Sequence, residues 1–315
     1  MKRKILLTST SFQDTPGKHQ TLLHKTGWDI EKMRGPLRED ELIDIIHEFD
    51  AVICGDDAYT DHVIKKGANG RLRVISKYGV GLDSINLEEA KKNDIKVLNC
   101  PGVNQNAVAE HVIGLLLCFS RNIHLLHQEV QNGKWARITG NEILGRKIGV
   151  FGYGNVGKEF TKKCLQLGFD VTVCDPYDTS LKTDSEILNF AIAKNLENLV
   201  RNVDIISLHV PLTPETHEVF NQDIFRVSKK GLLIINTSRG KLVNNMDILR
   251  AIEENFISGY ITDVLDTEPI APNHPFLGNP KILITPHIGS RTFQSVEKQG
   301  CMAVENTINA LESIS

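Results

Sequence analysis

An α/β protein with two parallel sheets is predicted by three features of this 315-residue chain. Short apolar runs alternate with helical patterns from end to end, the signature of βα units that close a parallel sheet. One such unit, 147–175, carries Gly152-Tyr153-Gly154-Asn155-Val156-Gly157 between its strand and its helix. A Pro101-Gly102 break separates that region from a first hundred residues that alternate in the same way and so form a small α/β domain of their own.

The elements follow in order. Residues 4–8 read as a buried strand, 51–54 as a second ending at Gly55, 72–76 as a third running into Lys77-Tyr78-Gly79-Val80-Gly81, and 95–98 as a fourth. Helical patterns lie between them at 19–25, more clearly at 39–49, and at 61–66 and 87–92. A helix over 107–132 starts with an apolar band and turns amphipathic. It is long for a surface helix and is expected to bridge two domains or to supply a subunit interface. Beyond it, 147–151 is a strand, 158–167 a helix closed by Gly168, and 169–174 a strand with Asp175 at its end. Strands at 203–208, 231–236, 260–265 and 282–285 continue the alternation, with helices at 246–255 and 295–311.

Each glycine of the 152–157 turn has a separate reason. Gly152 lets the chain turn sharply out of the strand, Gly154 lets backbone approach a pyrophosphate, and Gly157 lets the helix pack close to the strand. The helix then aims its free N–H groups and positive dipole end at the phosphates. Asp175 lies 18 positions after Gly157, near the spacing of an acid that binds ribose hydroxyls. Its charge opposes the extra phosphate of NADP, and Pro176-Tyr177 offer no arginine to receive one. Strand, glycine turn, helix, strand and acid together make a dinucleotide-binding fingerprint and favour NAD. A glycine turn alone would equally suit a structural bend.

The composition, 41% hydrophobic and 24% charged, is that of a globular protein with a substantial core. A net charge of -3 points to no polyanionic partner and hence no nucleic acid. The six cysteines form no C-x-x-C pair, which fits a reducing compartment better than a disulfide framework or a metal site. The apolar run after Met1-Lys2-Arg3-Lys4 is too short for a signal segment, and the longest one, 112–119, is too short to span a bilayer. A cytoplasmic protein with no membrane partner is expected.

In an open parallel sheet, ligands bind outside the carboxyl ends of the strands. Asp175, Arg239, the 263–268 segment and His287 all stand at such ends. Histidine is the natural acid–base group near neutral pH. A carboxylate such as Glu268 fixes an imidazole's tautomer and stabilises its protonated form. Arg239 offers a planar, permanent cation for bidentate grip of a carboxylate. Arginine, glutamate and histidine at the lip of a nucleotide-binding sheet suggest hydride transfer on a substrate that carries a carboxylate. The alternative is three unrelated loop residues.

Several segments in order resemble the D-isomer-specific 2-hydroxyacid dehydrogenase family. They are Gly79-Val80-Gly81-Leu82-Asp83, Asn106-Ala107-Val108-Ala109-Glu110, the glycine fingerprint, His209-Val210-Pro211-Leu212-Thr213, Asn236-Thr237-Ser238-Arg239-Gly240, the 263–269 segment, and Thr285-Pro286-His287-Ile288-Gly289. The likeness covers nearly the whole chain, and is greatest to phosphoglycerate dehydrogenase-like members that lack a regulatory domain.

The resemblance implies two Rossmann-like or flavodoxin-like parallel-sheet domains. Residues 101–289 would be the NAD-binding Rossmann domain, inserted into a substrate-binding domain made of 1–100 plus 290–315, with the active site in the cleft. His287 would take the hydroxyl proton in oxidation and return it in reduction, Glu268 would raise its pKa, and Arg239 would hold the substrate carboxylate. Backbone around Gly79, Val80 and Gly81, with Lys77 beside it, would bind the other side of the substrate. Gly152, Gly154, Asn155, Val156 and Gly157 would lie against the pyrophosphate and Asp175 against the ribose. Val210, Thr237, Ser238 and Gly289 would line the cofactor site, and Asp263 would bond the nicotinamide carboxamide. Members are similar in being homodimers through the nucleotide domain.

The chain departs from the phosphoglycerate enzymes in two places. Lys77 stands where they often have arginine, and Gly55-Asp56-Asp57 stands where some relatives place an arginine for the phosphate. Two acids there are expected to repel a phosphate, so 3-phosphoglycerate competes with glyoxylate, hydroxypyruvate and other 2-keto acids as substrate. An NAD-sensing binding protein of the corepressor type, which shares the fold, is the alternative from another functional class.

Overall fold

The computed structural model describes residues 2–178 and 180–314. The chain divides into two compact units, Met1–Asn104 with Arg291–Ser315 and Gln105–Ser290.

In the first unit, strands β1 (Lys4–Leu7), β2 (Asp29–Lys32), β3 (Ala51–Cys54), β4 (Val74–Lys77) and β5 (Lys96–Leu98) make one parallel sheet. Its order is β2-β1-β3-β4-β5, so the winding reverses between β1 and β3. Both faces are covered. Leu6, Val52, Cys54 and Ile75 pack with Phe49, Tyr59 and Val63 on one side. Ile5, Leu7, Ala51, Ile53 and Val74 pack on the other with Phe12, Leu23 and Val304. Val304 comes from the closing helix Phe293–Glu312, whose first turn is capped by Thr292. Two-sided burial is why these strands read as continuous apolar runs rather than alternating ones. Each fully buried Ile or Leu contributes about 1.5–3 kcal/mol.

Strand β2 escapes sequence reading because Asp29-Ile30-Glu31-Lys32 holds a single apolar residue and is mostly exposed. It is a strand only because the backbone of β1 pairs with it from Lys4 to Leu7. The single helix expected at 39–49 is instead Glu39–Ile43 followed by a tight 3-10 turn, Ile46–Glu48. That turn brings both Ile46 and Phe49 into the core.

In the second unit, β6 (Lys147–Phe151), β7 (Asp170–Cys174), β8 (Ala191–Ile192), β9 (Ile205–Leu208), β10 (Leu232–Asn236), β11 (Ile257–Thr262) and β12 (Ile282–Ile284) form a parallel sheet of order β12-β11-β10-β9-β6-β7-β8. The winding reverses between β6 and β9, which places the ligand crevice at the carboxyl ends of those two strands. Strand β8, two exposed residues long, was also beyond sequence reading.

The long helix expected over 107–132 is two helices, Gln105–Ser120 and Ile123–Gln131. Asn122 between them has φ 54, a left-handed conformation that asparagine tolerates better than most residues. Its amide donates to the Thr139 carbonyl at 3.3 Å, which fixes the break. The first helix buries Val112, Leu115 and Leu116, whereas the second buries none of its residues. No described helix is long and apolar enough to cross a membrane.

Candidate active site

The carboxyl edge of the second sheet gathers two groups of residues. The first surrounds the glycine turn after β6. A side chain at Gly157 would put its Cβ 2.1 Å from the Gly152 carbonyl oxygen, so only glycine lets the helix sit this close to the strand. Helix Asn155–Gln166 starts at Gly154 with no side-chain cap and no acid in its first turn. Its leading N–H groups therefore remain to be satisfied by a ligand. The space beyond Gly154 is open.

Asp175 stands at the end of the neighbouring β7. One oxygen accepts from the Tyr153 N–H at 2.7 Å and the other from the Tyr177 and Asp178 N–H groups at 2.9 and 3.2 Å. A carboxylate offers about four acceptor positions, so one remains for a hydroxyl. Lys158, the nearby cation, is held by Asp178, Ser180 and Asp184 rather than presented to a phosphate. Thr237, at the end of β10, keeps a buried hydroxyl with no hydrogen-bond partner among the described residues. An unsatisfied buried hydroxyl, an uncapped helix end and an open glycine approach fit a dinucleotide. As an expected result, Asp175→Ala weakens NADH binding and raises the NADPH/NADH preference about tenfold or more, since a like charge facing the 2′-phosphate is removed. Steady-state kinetics with both cofactors test this, and an unchanged preference refutes the role.

His209 closes the floor of this region. Its Nε2 lies 2.9 Å from the Ser207 hydroxyl, its Nδ1 is buried without a hydrogen-bond partner among the described residues, and its ring packs against Phe160. Burial pushes its pKa from 6.5 down to about 3. The unfolded chain therefore takes up this proton first, so the stability tied to neutral His209 is complete above pH 6.5 and is lost as pH falls towards 3. His209→Gln should flatten the fall in Tm between pH 7 and 4; parallel curves for variant and wild type would exclude the assignment.

The second group comes from three adjacent strands. Arg239 follows β10, Glu268 follows β11 and His287 follows β12. The Arg239 loop is built by buried Asn236, whose side chain accepts from the Ser238 N–H at 3.0 Å and donates to the Arg239 carbonyl at 2.8 Å. The Ser238 hydroxyl donates to Leu208 across the sheet. The Arg239 guanidinium donates to the Ser238 carbonyl at 2.7 Å. A Cβ on Gly240 would lie 2.0 Å from the carbonyl carbon of Leu265, so this glycine lets the arginine loop press against the loop that carries Glu268. Gly240→Ala is expected to push the two loops apart and lower kcat/KM about 10²-fold. Retention of most activity, with Tm unchanged, would contradict this.

His287 Nδ1 lies 2.8 Å from Glu268 Oε2, and Glu268 Oε1 accepts from the Leu265 N–H at 2.9 Å. Both side chains are 34% exposed. The pair therefore meets solvent while the Leu265 N–H holds Glu268 in place. The His287 backbone has φ 52, a left-handed conformation that costs a non-glycine residue on the order of 1–3 kcal/mol and persists only where neighbours enforce it.

Asp263 is the enforcing neighbour. Its carbonyl accepts from the His287 N–H at 2.8 Å. Its carboxylate accepts from the Ile288 N–H at 3.0 Å, the Gly289 N–H at 2.7 Å and the Thr285 hydroxyl at 2.5 Å. His111 Nε2 lies 3.3 Å from the same carboxylate. Burial pushes the Asp263 carboxyl up, but the bonds from His111, Thr285 and the two amides outweigh it and hold the group below the ordinary range. So Asp263 and Gly289, read from the sequence as cofactor contacts, are bonded first to each other. His111 belongs to the same clamp. The pattern Glu110-His111 on a helix gave no signal of this, because its partner lies 152 positions away.

Lys77 and Gly79–Gly81 lie in the first unit, at the carboxyl end of β4. Gly79 has φ 145 and its carbonyl accepts from the Cys100 N–H at 2.8 Å. Val80 is exposed, and its carbonyl accepts from the Asn99 amide at 2.7 Å. Lys77 is buried, with its ammonium donating to the Gly55 carbonyl at 2.5 Å and to Asp56 at 2.6 Å. The two acids at 56 and 57 do not act alike. Asp57 is fully buried and turned inward, where it takes the Thr8 hydroxyl and the Leu37 N–H. Only Asp56 is exposed.

Residues 113–289 match the family described as D-isomer specific 2-hydroxyacid dehydrogenase, NAD binding domain. Over 88% of its length the chain is 35% identical to a glyoxylate reductase of Thermofilum pendens, of which the match covers 83%. Over 95% of its length it is 33% identical to a hydroxypyruvate reductase of Thermotoga maritima, of which 96% is covered. Its structure is similar to that of the NAD+-bound 3-phosphoglycerate dehydrogenase of Entamoeba histolytica, with a TM-score of 0.80 at 25% identity over 100% of this chain and 97% of that one.

Proposed function

Because the chain belongs to the D-isomer specific 2-hydroxyacid dehydrogenase family, we infer that it reduces a small 2-keto acid of the glyoxylate or hydroxypyruvate kind to the D-2-hydroxy acid. It is an NAD-dependent oxidoreductase, and the same site serves the reverse oxidation. The observation that carries this reading is the His287–Glu268 pair at 2.8 Å, with Arg239 on the next strand of the same sheet edge.

The 152–157 turn, Asp175, Val210, Thr237 and Ser238 would hold the nicotinamide cofactor, which would supply the hydride chemistry when bound. The protein supplies the rest. Arg239 grips the substrate carboxylate through its planar fork and draws charge towards the keto oxygen. Glu268 keeps the proton of the His287 pair on Nδ1 and stabilises the imidazolium. Nε2, the other ring nitrogen, then delivers a proton to the oxygen as it becomes an alkoxide, and takes it back in oxidation. Lys77 and the Gly79–Gly81 backbone are assigned to substrate binding in the first unit. Asp263 and His111 act through the loop, by holding His287 in its left-handed conformation. NADH oxidation against a panel of 2-keto acids tests the reading. Turnover of none of them, with NADH still bound, would overturn it in favour of an NAD-sensing protein.

A homodimer through the nucleotide unit is part of the proposal. Helix Ile123–Gln131 has no buried residue, and Ile123, Val130, Trp135 and Leu144 are exposed around it. Such a run of apolar side chains marks an interaction surface. Trp135→Arg combined with Ile123→Glu should halve the mass measured by light scattering, and an unchanged mass would exclude this interface. A cytoplasmic location accords with six cysteines that are all free.

A further inference from the structure

The loop that carries Glu268 has an anchor of its own. Between β11 and β12, residues 263–281 hold neither helix nor strand, and past Val264 only His274 and Phe276 are buried in this stretch. A buried imidazole needs partners for both nitrogens. The Phe276 N–H donates to Nδ1 of His274 at 3.3 Å, so the ring proton is on Nε2. Nε2 then donates to the Asp266 carboxylate at 3.1 Å. Both nitrogens are committed, which leaves His274 none with which to exchange a proton with a substrate.

Asp266 stands between this ring and the arginine loop. Burial pushes its carboxyl up, but bonds from Asn245 and His274 outweigh it and hold the group below the ordinary range. Asn245 opens the helix Asn245–Glu253, which follows the Arg239 loop. A Cβ on Gly240 would lie 2.3 Å from the Asp266 nitrogen, so the two loops meet backbone to backbone here. Beneath them, the Phe276 ring meets His274 edge-on at 4.8 Å and Tyr260 at 5.6 Å between centroids. The Tyr260 hydroxyl accepts from the Asn236 amide at 3.2 Å, and the same amide donates to the Arg239 carbonyl at 2.8 Å. One packed and hydrogen-bonded base thus runs from Asp266 to Arg239, all within the second unit. Above it, residues 267–270 are exposed. Glu268 reaches back to the Leu265 N–H, so Asp266 lies inside the turn that this bond closes.

We propose that Asp266 and His274 are positioning residues for the acid–base pair: the buried imidazole pins the 265–268 turn to the base beneath it and so sets the Glu268 carboxylate against His287. The inference rests on the reading of Glu268 and His287 as that pair. A carboxylate 2.8 Å from an imidazole favours its protonated form, and the preference weakens as the two separate. Reduction needs the protonated ring, so kcat/KM for a keto acid falls as pH rises through the pKa of the pair. Loosening the turn lowers that pKa and moves the fall to lower pH.

The test uses Asp266→Ala, His274→Ala, His274→Gln and Glu268→Gln. Asp263, His111 and Arg239, also at this edge, are unchanged in all four. Two pH titrations are compared with wild type: the His287 imidazole signal by NMR in the NADH-bound protein, and kcat/KM with NADH and hydroxypyruvate. Asp266→Ala and His274→Ala should lower both pKa values by about one unit. They should lower kcat about tenfold or more, with KM within about threefold of wild type. His274→Gln, whose amide nitrogen can replace Nε2 as donor to Asp266, should recover most of the shift. A folded Asp266→Ala or His274→Ala with an unshifted His287 titration overturns the proposal, even where Tm falls, because that is the mark of a merely structural anchor. Should His274→Ala not fold, Asp266→Ala decides, since the Asp266 side chain is 38% exposed. Glu268→Gln separates the two readings. A shift there with none in Asp266→Ala sinks the positioning role alone; no shift in Glu268→Gln removes the pair and the positioning role with it. Absence of turnover on hydroxypyruvate strikes at the reductase reading, and the imidazole titration still decides the role of Asp266 and His274.

Discussion

Alanine at position 287 is expected to lower kcat for 2-keto acid reduction about 10³-fold, within the range that one positioned acid–base group contributes. NADH affinity should stay within a few-fold of wild type, because the 152–157 turn and Asp175 lie on β6 and β7 while His287 follows β12 at the far edge of the sheet. Fluorescence titration of NADH beside steady-state turnover separates the two effects. The prediction is sharp because His287 occupies a strained backbone conformation with its Nδ1 committed to Glu268 at 2.8 Å. A purely structural histidine would have no use for that strain. Turnover within tenfold of wild type would remove His287 from the reaction.

Replacing Arg239 by methionine should cost about 2–5 kcal/mol of transition-state binding, roughly 30- to several-thousand-fold in kcat/KM, since the substrate carboxylate loses its only planar partner in this assignment. Lysine at the same position keeps the charge but not the two-pronged geometry, so it should recover only part of the loss. The loss should be divided between KM and kcat, because the residue both holds the carboxylate and polarises the keto oxygen. A variant in which KM rises alone would reduce Arg239 to a binding residue. The loop itself should survive, because Asn236, Ser238 and Gly240 build it without the guanidinium.

Much of this chemistry is legible in the amino-acid sequence. The glycine turn can be read because its reasons are local: a sharp exit from a strand and a helix end left uncapped are properties of a few consecutive residues. Arg239, Glu268 and His287 can be read because each stands just past an apolar run, and a parallel sheet sends all such positions to one edge. The same local logic fails for β2 and β8, whose residues have no strand character of their own and pair only because a neighbouring backbone is present. It fails again at Asn122, where one left-handed residue divides a helix whose apolar pattern runs on.

The sequence by itself pointed to the cofactor through the glycine turn and its acid, to the reaction class through its resemblance to a family, and to strand ends as the places of Arg239, Glu268 and His287. Only the tertiary structure decided what each of those side chains is bonded to. It placed Asp263 beneath the His287 loop together with His111, turned Asp57 into the core and Asp56 outwards, and joined Asp56 to Lys77. The physical reason is that a carboxylate's role depends on which donors surround it, and here those donors come from segments that are distant in sequence and meet only when the sheets form.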